Sequence, residues 1–397
     1  MWDLIPSQAV ILAGGLGTRL RPITNTIPKP LIEFHGRPFL SFILDQIKQQ
    51  GIEKVLLLVG YRGDQIKEYC RDGSQWGLEI KYSLSPIEAD TGLRLKNAKS
   101  LVNSKFLLMY CDNYCPLDLG RMWEQYNNLG VMAQVTAYTN QDNYTRNNLR
   151  IASEGIVELY DPERSAPDLN GVDIGYAIFS SEVLDLIPDG NPNFERTVYP
   201  ILVKGHQLAA YKTDHRYYSV SSHERLDLTK DFLEPRRAVL LDRDGVINVR
   251  PPRAHYVRSW EEFEWLPRSI DAIKLLNDHG YIVALISNQS GIGQGLMTEE
   301  ALHEIHNLMQ ADLNKVGAKI DAIFYCPHGW DDGCLCRKPL PGMLYQAQRM
   351  FNLDLSKTWF IGDDERDSEA GKAAGCLTEL VSETKSLINV VSDLLGL

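Results

Sequence analysis

Strand-length apolar runs alternate along this chain with longer stretches whose apolar positions recur every three or four residues. AVILAG (9–14) is followed by FLSFILDQIKQQG (39–51), then KVLLLVG (54–60), and later KFLLMYCD (105–112). Continuous apolar runs between amphipathic stretches predict β-α-β units in a mostly parallel sheet, whose strands are buried on both faces. The rhythm loosens between 131 and 220, where VMAQVTAY, LRIAS, GIVELY and VDIGYAIFS read as shorter strands, so this first sheet is expected to be mixed. HERLDLTKDFLE (223–234) reads as a helix stopped by Pro235. The pattern restarts at AVLLDRDG (238–245). IVALIS (282–287), AIFYC (322–326) and TWFIGDD (358–364) follow, separated by helical stretches such as TEEALHEIHNLMQADLNKVG (298–317). That restart predicts a second, doubly wound parallel sheet. The expected α/β architecture therefore has two domains, 1–232 and 237–397, with the boundary near 230 to 237.

Composition narrows the possible partners. The 397 residues carry a formal net charge of -11, and no stretch gathers Lys and Arg into a stripe, which argues against a nucleic-acid surface. Any phosphate must then be held by local groups, and small molecules are the expected partners. No run of about 18 apolar residues occurs, and MWDLIPSQAVILAGG lacks a basic leader segment, so neither membrane nor export is expected and the predicted location is cytoplasmic. Seven Cys, three of them clustered, do not suit a secreted disulfide framework.

Four pieces in the second half carry chemistry. DRDGVIN (242–248) puts Asp242 at a strand end with Asp244 two residues on. ISNQSG (286–291) puts Ser287 at another strand end; Arg337-Lys338-Pro339 supplies cations; IGDDERDSEAG (361–371) puts Asp363 at a third strand end. Carboxyl ends of parallel strands are where α/β folds place ligands. Asp-x-Asp-Gly alone is also what a plain strand-to-loop turn looks like, but four such pieces in this order are not.

Together they resemble the four motifs of the haloacid dehalogenase superfamily of phosphohydrolases, over roughly 238–380. The resemblance implies Asp242 as the nucleophile that forms an aspartyl-phosphate, and Asp244 as the acid and base. It implies Ser287 and Lys338 on the phosphoryl oxygens, and substrate contacts from Asn288, Gln289 and Arg337. It also implies Mg²⁺ among Asp242, the backbone carbonyl of Asp244, and Asp363. Between these motifs, Cys326-x-His328 and Cys334-x-Cys336 offer four ligands, which suits a closed, structural Zn²⁺ site tying the loop just before Arg337 and Lys338. Phosphatases with this inserted loop resemble two groups, the D-glycero-D-manno-heptose 1,7-bisphosphate 7-phosphatases and the histidinol-phosphate phosphatases.

In the first half, VILAGGLGTRLRPITNTIPKPLIEFHGRPFL (10–40) is a strand, a glycine-rich loop and two cations. Gly14, Gly15 and Gly17 let backbone amides approach a phosphate chain, and Arg19 and Lys29 can neutralise it. The full string resembles the signature of sugar-1-phosphate nucleotidyltransferases, with coverage to about residue 226 and a Rossmann-like fold. The resemblance implies in-line attack of a sugar 1-phosphate on the α-phosphorus of a nucleoside triphosphate. Thr18 would assist at the loop, and Asp112 would carry Mg²⁺. Three positions depart from the family pattern. Ser219 stands where a second metal carboxylate is expected, Asp161 where a phosphate-binding Lys is expected, and Asp173 on the sugar-facing strand. Asp214 and Arg164 are the candidates to compensate.

A heptose bisphosphate phosphatase makes a heptose 1-phosphate, the kind of substrate such a transferase consumes. The joined halves therefore point to one bifunctional enzyme for an NDP-heptose, GTP being the expected donor. Two alternatives remain at this stage: a phosphatase with a nucleotide-binding but inactive first domain, and a histidinol-phosphate phosphatase.

Overall fold

The computed structural model describes residues 5–252 and 255–397, so residues 1–4 of the run read for a leader lie outside the described residues. The chain forms two compact units, Met1–Glu234 and Pro235–Leu397.

The first unit is built on seven strands: β1 (Gln8–Ala13), β2 (Lys54–Val59), β3 (Glu79–Leu84), β4 (Lys105–Tyr110), β5 (Ala133–Tyr138), β6 (Val172–Ser180) and β7 (Leu208–Thr213). Their order is β7-β5-β6-β4-β1-β2-β3. All pairs are parallel except those of β6, which runs antiparallel to both neighbours and makes the sheet mixed. The continuous apolar run of β1 follows from two-sided burial. Ala9, Ile11 and Ala13 enter one core cluster, while Val10 and Leu12 enter the other. The first strand lies between β2 and β4, so the sheet turns its winding there, and Gly14 and Asp112 follow the adjacent carboxyl ends of β1 and β4. A short ribbon pairs Ser219 with Asn113 and brings residues 218–219 beside Asp112.

The second unit carries β8 (Ala238–Leu241), β9 (Ile282–Asn288), β10 (Ala322–Cys326), β11 (Trp359–Gly362) and β12 (Leu377–Leu380), all parallel, in the order β10-β9-β8-β11-β12. Here too alternate residues of one strand feed opposite cores, Val239 and Leu241 on one face and Ala238 and Leu240 on the other. The chain winds to either side of β8, and the crevice at that reversal lies beyond Leu241.

Three strands escape the apolar-run reading: β3, β7 and β12. In β3, buried Ile80 and Ser83 sit among exposed Glu79, Lys81 and Leu84. An edge strand half open to water carries no continuous apolar run. No helix among the described residues is long and apolar enough to cross a membrane.

Candidate active sites

The crevice above β8 holds a cavity of about 820 Å³ whose walls include Asp242, Asp244, Ser287, Lys338, Asp363 and Asp367. Asp242, Asp244, Ser287 and Asp363 arrive from strand ends or the turns after them, Lys338 from the end of the cysteine loop and Asp367 from the first turn of a helix. Lys338 is the hub. Its ammonium is 3% exposed and lies 2.8 Å from Asp242 Oδ1, 2.6 Å from Asp367 Oδ1 and 2.9 Å from the carbonyl of Ile286. Burial alone would lower its pKa, but Asp242 and Asp367 outweigh burial and raise it. Its backbone is fixed by a two-way exchange with the Asn288 side chain, 3.1 Å in each direction.

The two aspartates of the first motif are driven apart. Burial, with Asp367 adding to it against the pull of Lys338, pushes the Asp242 carboxyl up to about 7. Burial acts on Asp244 as well, but there Arg243, Asn248 and Gln289 overcome it and hold the carboxyl below its usual range. Arg243 is fully buried and grips both oxygens of Asp244 at 3.0 Å, while Asn248 donates at 2.8 Å and Gln289 at 3.1 Å. Gln289 also donates to Ser287 Oγ at 2.8 Å, so Ser287, Gln289 and Asp244 form one network. The two neighbouring carboxyls therefore differ in proton affinity, an asymmetry that can separate nucleophilic from proton-transfer work.

Asp367, unmarked in the sequence reading, is as central as Asp242. It is 2% exposed, accepts from the backbone N–H groups of Asp363 and Asp364, and completes a capping box with Asp364 at the helix Glu365–Ala374. Its sequence signal was its place four residues after Asp363, one helical turn on. A Cβ at Gly362 would lie 2.2 Å from that of Asp367, so the strand end must be glycine. Carboxylate oxygens of Asp242, Asp363 and Asp367 lie within 4.8 Å of one another, an all-oxygen set of the kind a hard divalent cation takes. Gly245, at φ +92, passes so close that a Cβ would overlap Asp363 Oδ2. Arg250 bonds Asp363 at 3.0 Å and Asp364 at 2.8 Å across the cavity rim.

Cys326, His328, Cys334 and Cys336 converge. Cys326 Sγ is 3.5 Å from His328 Nδ1 and 3.6 Å from Cys334 Sγ, and Cys336 Sγ is 3.2 Å from the same nitrogen. A tetrahedral ion about 2.3 Å from sulfur and about 2.0 Å from nitrogen sets its ligand atoms roughly 3.5–3.8 Å apart, which these spacings approach. The four residues therefore fit Zn²⁺. The loop is stitched to the phosphate-side turn, with Gln289 N donating to Cys326 O and Gly293 N to Pro327 O, both at 2.8 Å.

In the first unit, Lys29 Nζ lies 2.5 Å from Asp112 Oδ2. Among the described residues no backbone N–H from Gly14 through Arg19 has an acceptor, which leaves a run of free donors beside an exposed Arg19. Gly17 takes φ +62, and Thr24 fixes its carbonyl at 2.9 Å. Thr18 is exposed on the same loop. Of the departing positions, Ser219 is buried and bonds Ser221 Oγ at 2.8 Å. Asp161 closes a turn by accepting from Glu163, Ser165 and Ala166. Asp214 bonds Thr139, and Arg164 bonds the carbonyl of Arg146, so neither is shown reaching Asp112. Asp173 sits where β6 breaks register against β5, and burial pushes its carboxyl up to about 6. Glu195, another residue the sequence reading passed over, is pushed up to about 7 by burial and by Asp173.

Family models agree with this division of chemistry. Residues 8–211 match the nucleotidyl transferase family, and residues 179–375 match the haloacid dehalogenase-like hydrolase family. The chain belongs to both families. The hydrolase match overlaps the first, yet the hydrolase sheet begins only at Ala238, so its chemistry lies wholly in the second unit. Among curated proteins, the D-glycero-beta-D-manno-heptose-1,7-bisphosphate 7-phosphatase of Pseudomonas aeruginosa is 41% identical over 152 residues, covering 38% of this chain and 84% of that one. Among solved structures, the D,D-heptose 1.7-bisphosphate phosphatase from B. bronchiseptica, complexed with magnesium and phosphate, is 38% identical. It covers 40% of this chain and 98% of its own, with a TM-score of 0.38. HddC from Yersinia pseudotuberculosis is 23% identical and covers 56% of this chain and 98% of its own, with a TM-score of 0.49. This nucleotidyl transferase and hydrolase chain is thus an enzyme.

Proposed function

We propose that the second unit removes the 7-phosphate of D-glycero-D-manno-heptose 1,7-bisphosphate, and that the first joins the resulting heptose 1-phosphate to a nucleotide, GTP being the expected donor. The observation that carries the reading is Lys338 buried between Asp242 and Asp367 at the base of the cavity. A phosphoryl group there meets a carboxylate nucleophile and a fixed cation together. Asp242 attacks phosphorus, the ester P–O bond breaks, and the sugar oxygen leaves with a proton from Asp244. Water, its proton taken back by Asp244, then hydrolyses the aspartyl-phosphate. Asp244 is ionised in the absence of substrate, and the charge of an arriving phosphate raises its affinity for the proton that the first step needs. Lys338 and Ser287 hold the phosphoryl oxygens, Asn288 and Arg337 complete the wall, and Gln289 braces Ser287 and Asp244 from behind. Mg²⁺ bound by Asp242, the carbonyl of Asp244 and Asp363 would offset charge on the transferring group. The identity to the heptose phosphatase favours that substrate over histidinol phosphate.

In the first unit an oxygen of the sugar 1-phosphate attacks the α-phosphorus, and pyrophosphate leaves. The free amides of Gly14 to Arg19, with Arg19 and Lys29, stabilise the charge. Asp112 would hold Mg²⁺ once Lys29 turns to the phosphates. Ser219 favours a second reading, in which this unit binds nucleotide without transferring it. Purified protein with Mg²⁺ and heptose 1,7-bisphosphate is given each nucleoside triphosphate in turn, and phosphate and pyrophosphate are followed separately. We expect phosphate under all conditions and pyrophosphate with GTP. No phosphate sinks the phosphatase reading, and phosphate without pyrophosphate from any triphosphate installs the second reading.

A further inference from the structure

We infer that Arg94, a residue with no assigned role, is the positioning residue that shapes the phosphate loop of the first unit for nucleoside triphosphate; this rests on the nucleotidyl-transfer reading. Arg94 lies on the helix Thr91–Asn97 and is only 4% exposed. Its guanidinium donates to four backbone carbonyls and to no side chain: Nη1 to Val59, and Nη2 to Gly14, Pro86 and Ile87, each at 3.1 Å. No carboxylate forms an ion pair with it among the described residues.

Its effect on the loop follows from peptide geometry. Across a trans peptide the carbonyl of one residue and the N–H of the next point in opposite directions. The Gly14–Gly15 peptide is trans, and its carbonyl is held inward by Arg94 and by the N–H of Tyr61 at 3.1 Å. The N–H of exposed Gly15 is therefore turned outward, at the head of the run of free donors. Arg94 also brings a buried positive charge behind a loop that must meet a polyanion. The surrounding chain is cut to fit the planar guanidinium. A Cβ on Gly14 would lie 2.3 Å from Nη1, and one on Gly60 would lie 2.4 Å from it. A lysine ammonium has three donors and no plane, so it cannot bridge the same carbonyls.

The test compares steady-state transfer by full-length Arg94→Lys and Gly60→Ala with wild type. The second variant keeps the guanidinium and crowds both it and the Gly14 carbonyl it holds, 2.8 Å from the added Cβ, and Gly60 is not among the free donors of the loop. Both should raise KM for the triphosphate by about tenfold or more, the scale of 1.4 kcal/mol, with KM for the sugar 1-phosphate and phosphatase activity unchanged. If Arg94→Lys leaves the first unit unfolded by calorimetry, Gly60→Ala decides. A folded variant whose triphosphate KM stays within about twofold of wild type, or whose sugar KM moves equally, overturns the inference. Wild-type protein that releases no pyrophosphate instead sinks the underlying reading.

Discussion

Lys338 can serve a phosphoryl group only because two acids share its charge, and the two acids differ in what their loss should do. Asp242→Asn removes the nucleophile itself, so phosphate release should vanish while nucleotide binding, measured by calorimetry, stays as it was. Activity within tenfold of wild type would falsify the assignment of Asp242. Asp367→Asn leaves the nucleophile but keeps one acceptor oxygen where the carboxylate offers two, so it cannot hold both Lys338 and the two backbone N–H groups. By analogy with lost supporting contacts at metal sites, we expect activity to fall about 10- to 100-fold, with part of the loss recovered by Asp367→Glu. The difference between these residues is also a difference in legibility. Asp242, Asp244 and Asp363 announce themselves by standing at the ends of apolar strands. Asp367 and Arg94 lie inside DDERDSEAG and TGLRLKNAK, where neighbouring charges read as a solvated helix face. Their burial is decided by chain segments far off in sequence, and no local pattern encodes it.

At the level of elements, the loop from Cys326 to Cys336 leaves its large apolar side chains, Trp330 and Leu335, exposed and has little core of its own, so its shape depends on its four ligands. About one Zn²⁺ per chain is expected by elemental analysis, from a four-ligand site. Cys334→Ser, or a chelator, should remove it and lower phosphatase activity, because the loop then no longer fixes Arg337 and Lys338. Pyrophosphate release should persist. Freshly purified protein free of zinc would defeat this expectation. The spacing of these ligands was fully readable, since it is local; so were the strands buried on both faces. Strand β3 was hidden because half of its side chains face water. The break in β6 that places Asp173 arises from pairing with β5, which a single segment does not reveal.

Across the whole molecule two buried groups, one in each unit, should contribute to pH dependence in opposite senses. In the first, Glu195 titrates near 7 when folded against an ordinary 4.5, because burial and Asp173 disfavour its charge. The folded state thus binds more protons than the unfolded chain between those values, and stability should fall as pH rises through that window. In the second, burial holds His306 neutral, down to about 3 from an ordinary 6.5. There the unfolded chain binds the extra proton, so stability should fall as pH drops below 6.5. Calorimetry of the full chain from pH 5 to 8 should show Glu195→Gln flattening the alkaline decline and His306→Asn the acid one. Unchanged slopes in both variants would show that other groups set the profile.

That two such units share one polypeptide has a bearing on supply. Every molecule synthesised carries one of each, so neither expression level nor turnover can alter their ratio. If the first reaction outruns the second, the cell cannot correct the imbalance by making more of the slower catalyst alone. The pool of sugar monophosphate between them is then set by the intrinsic rates of the two sites, and selection for a steady pool must act on those rates.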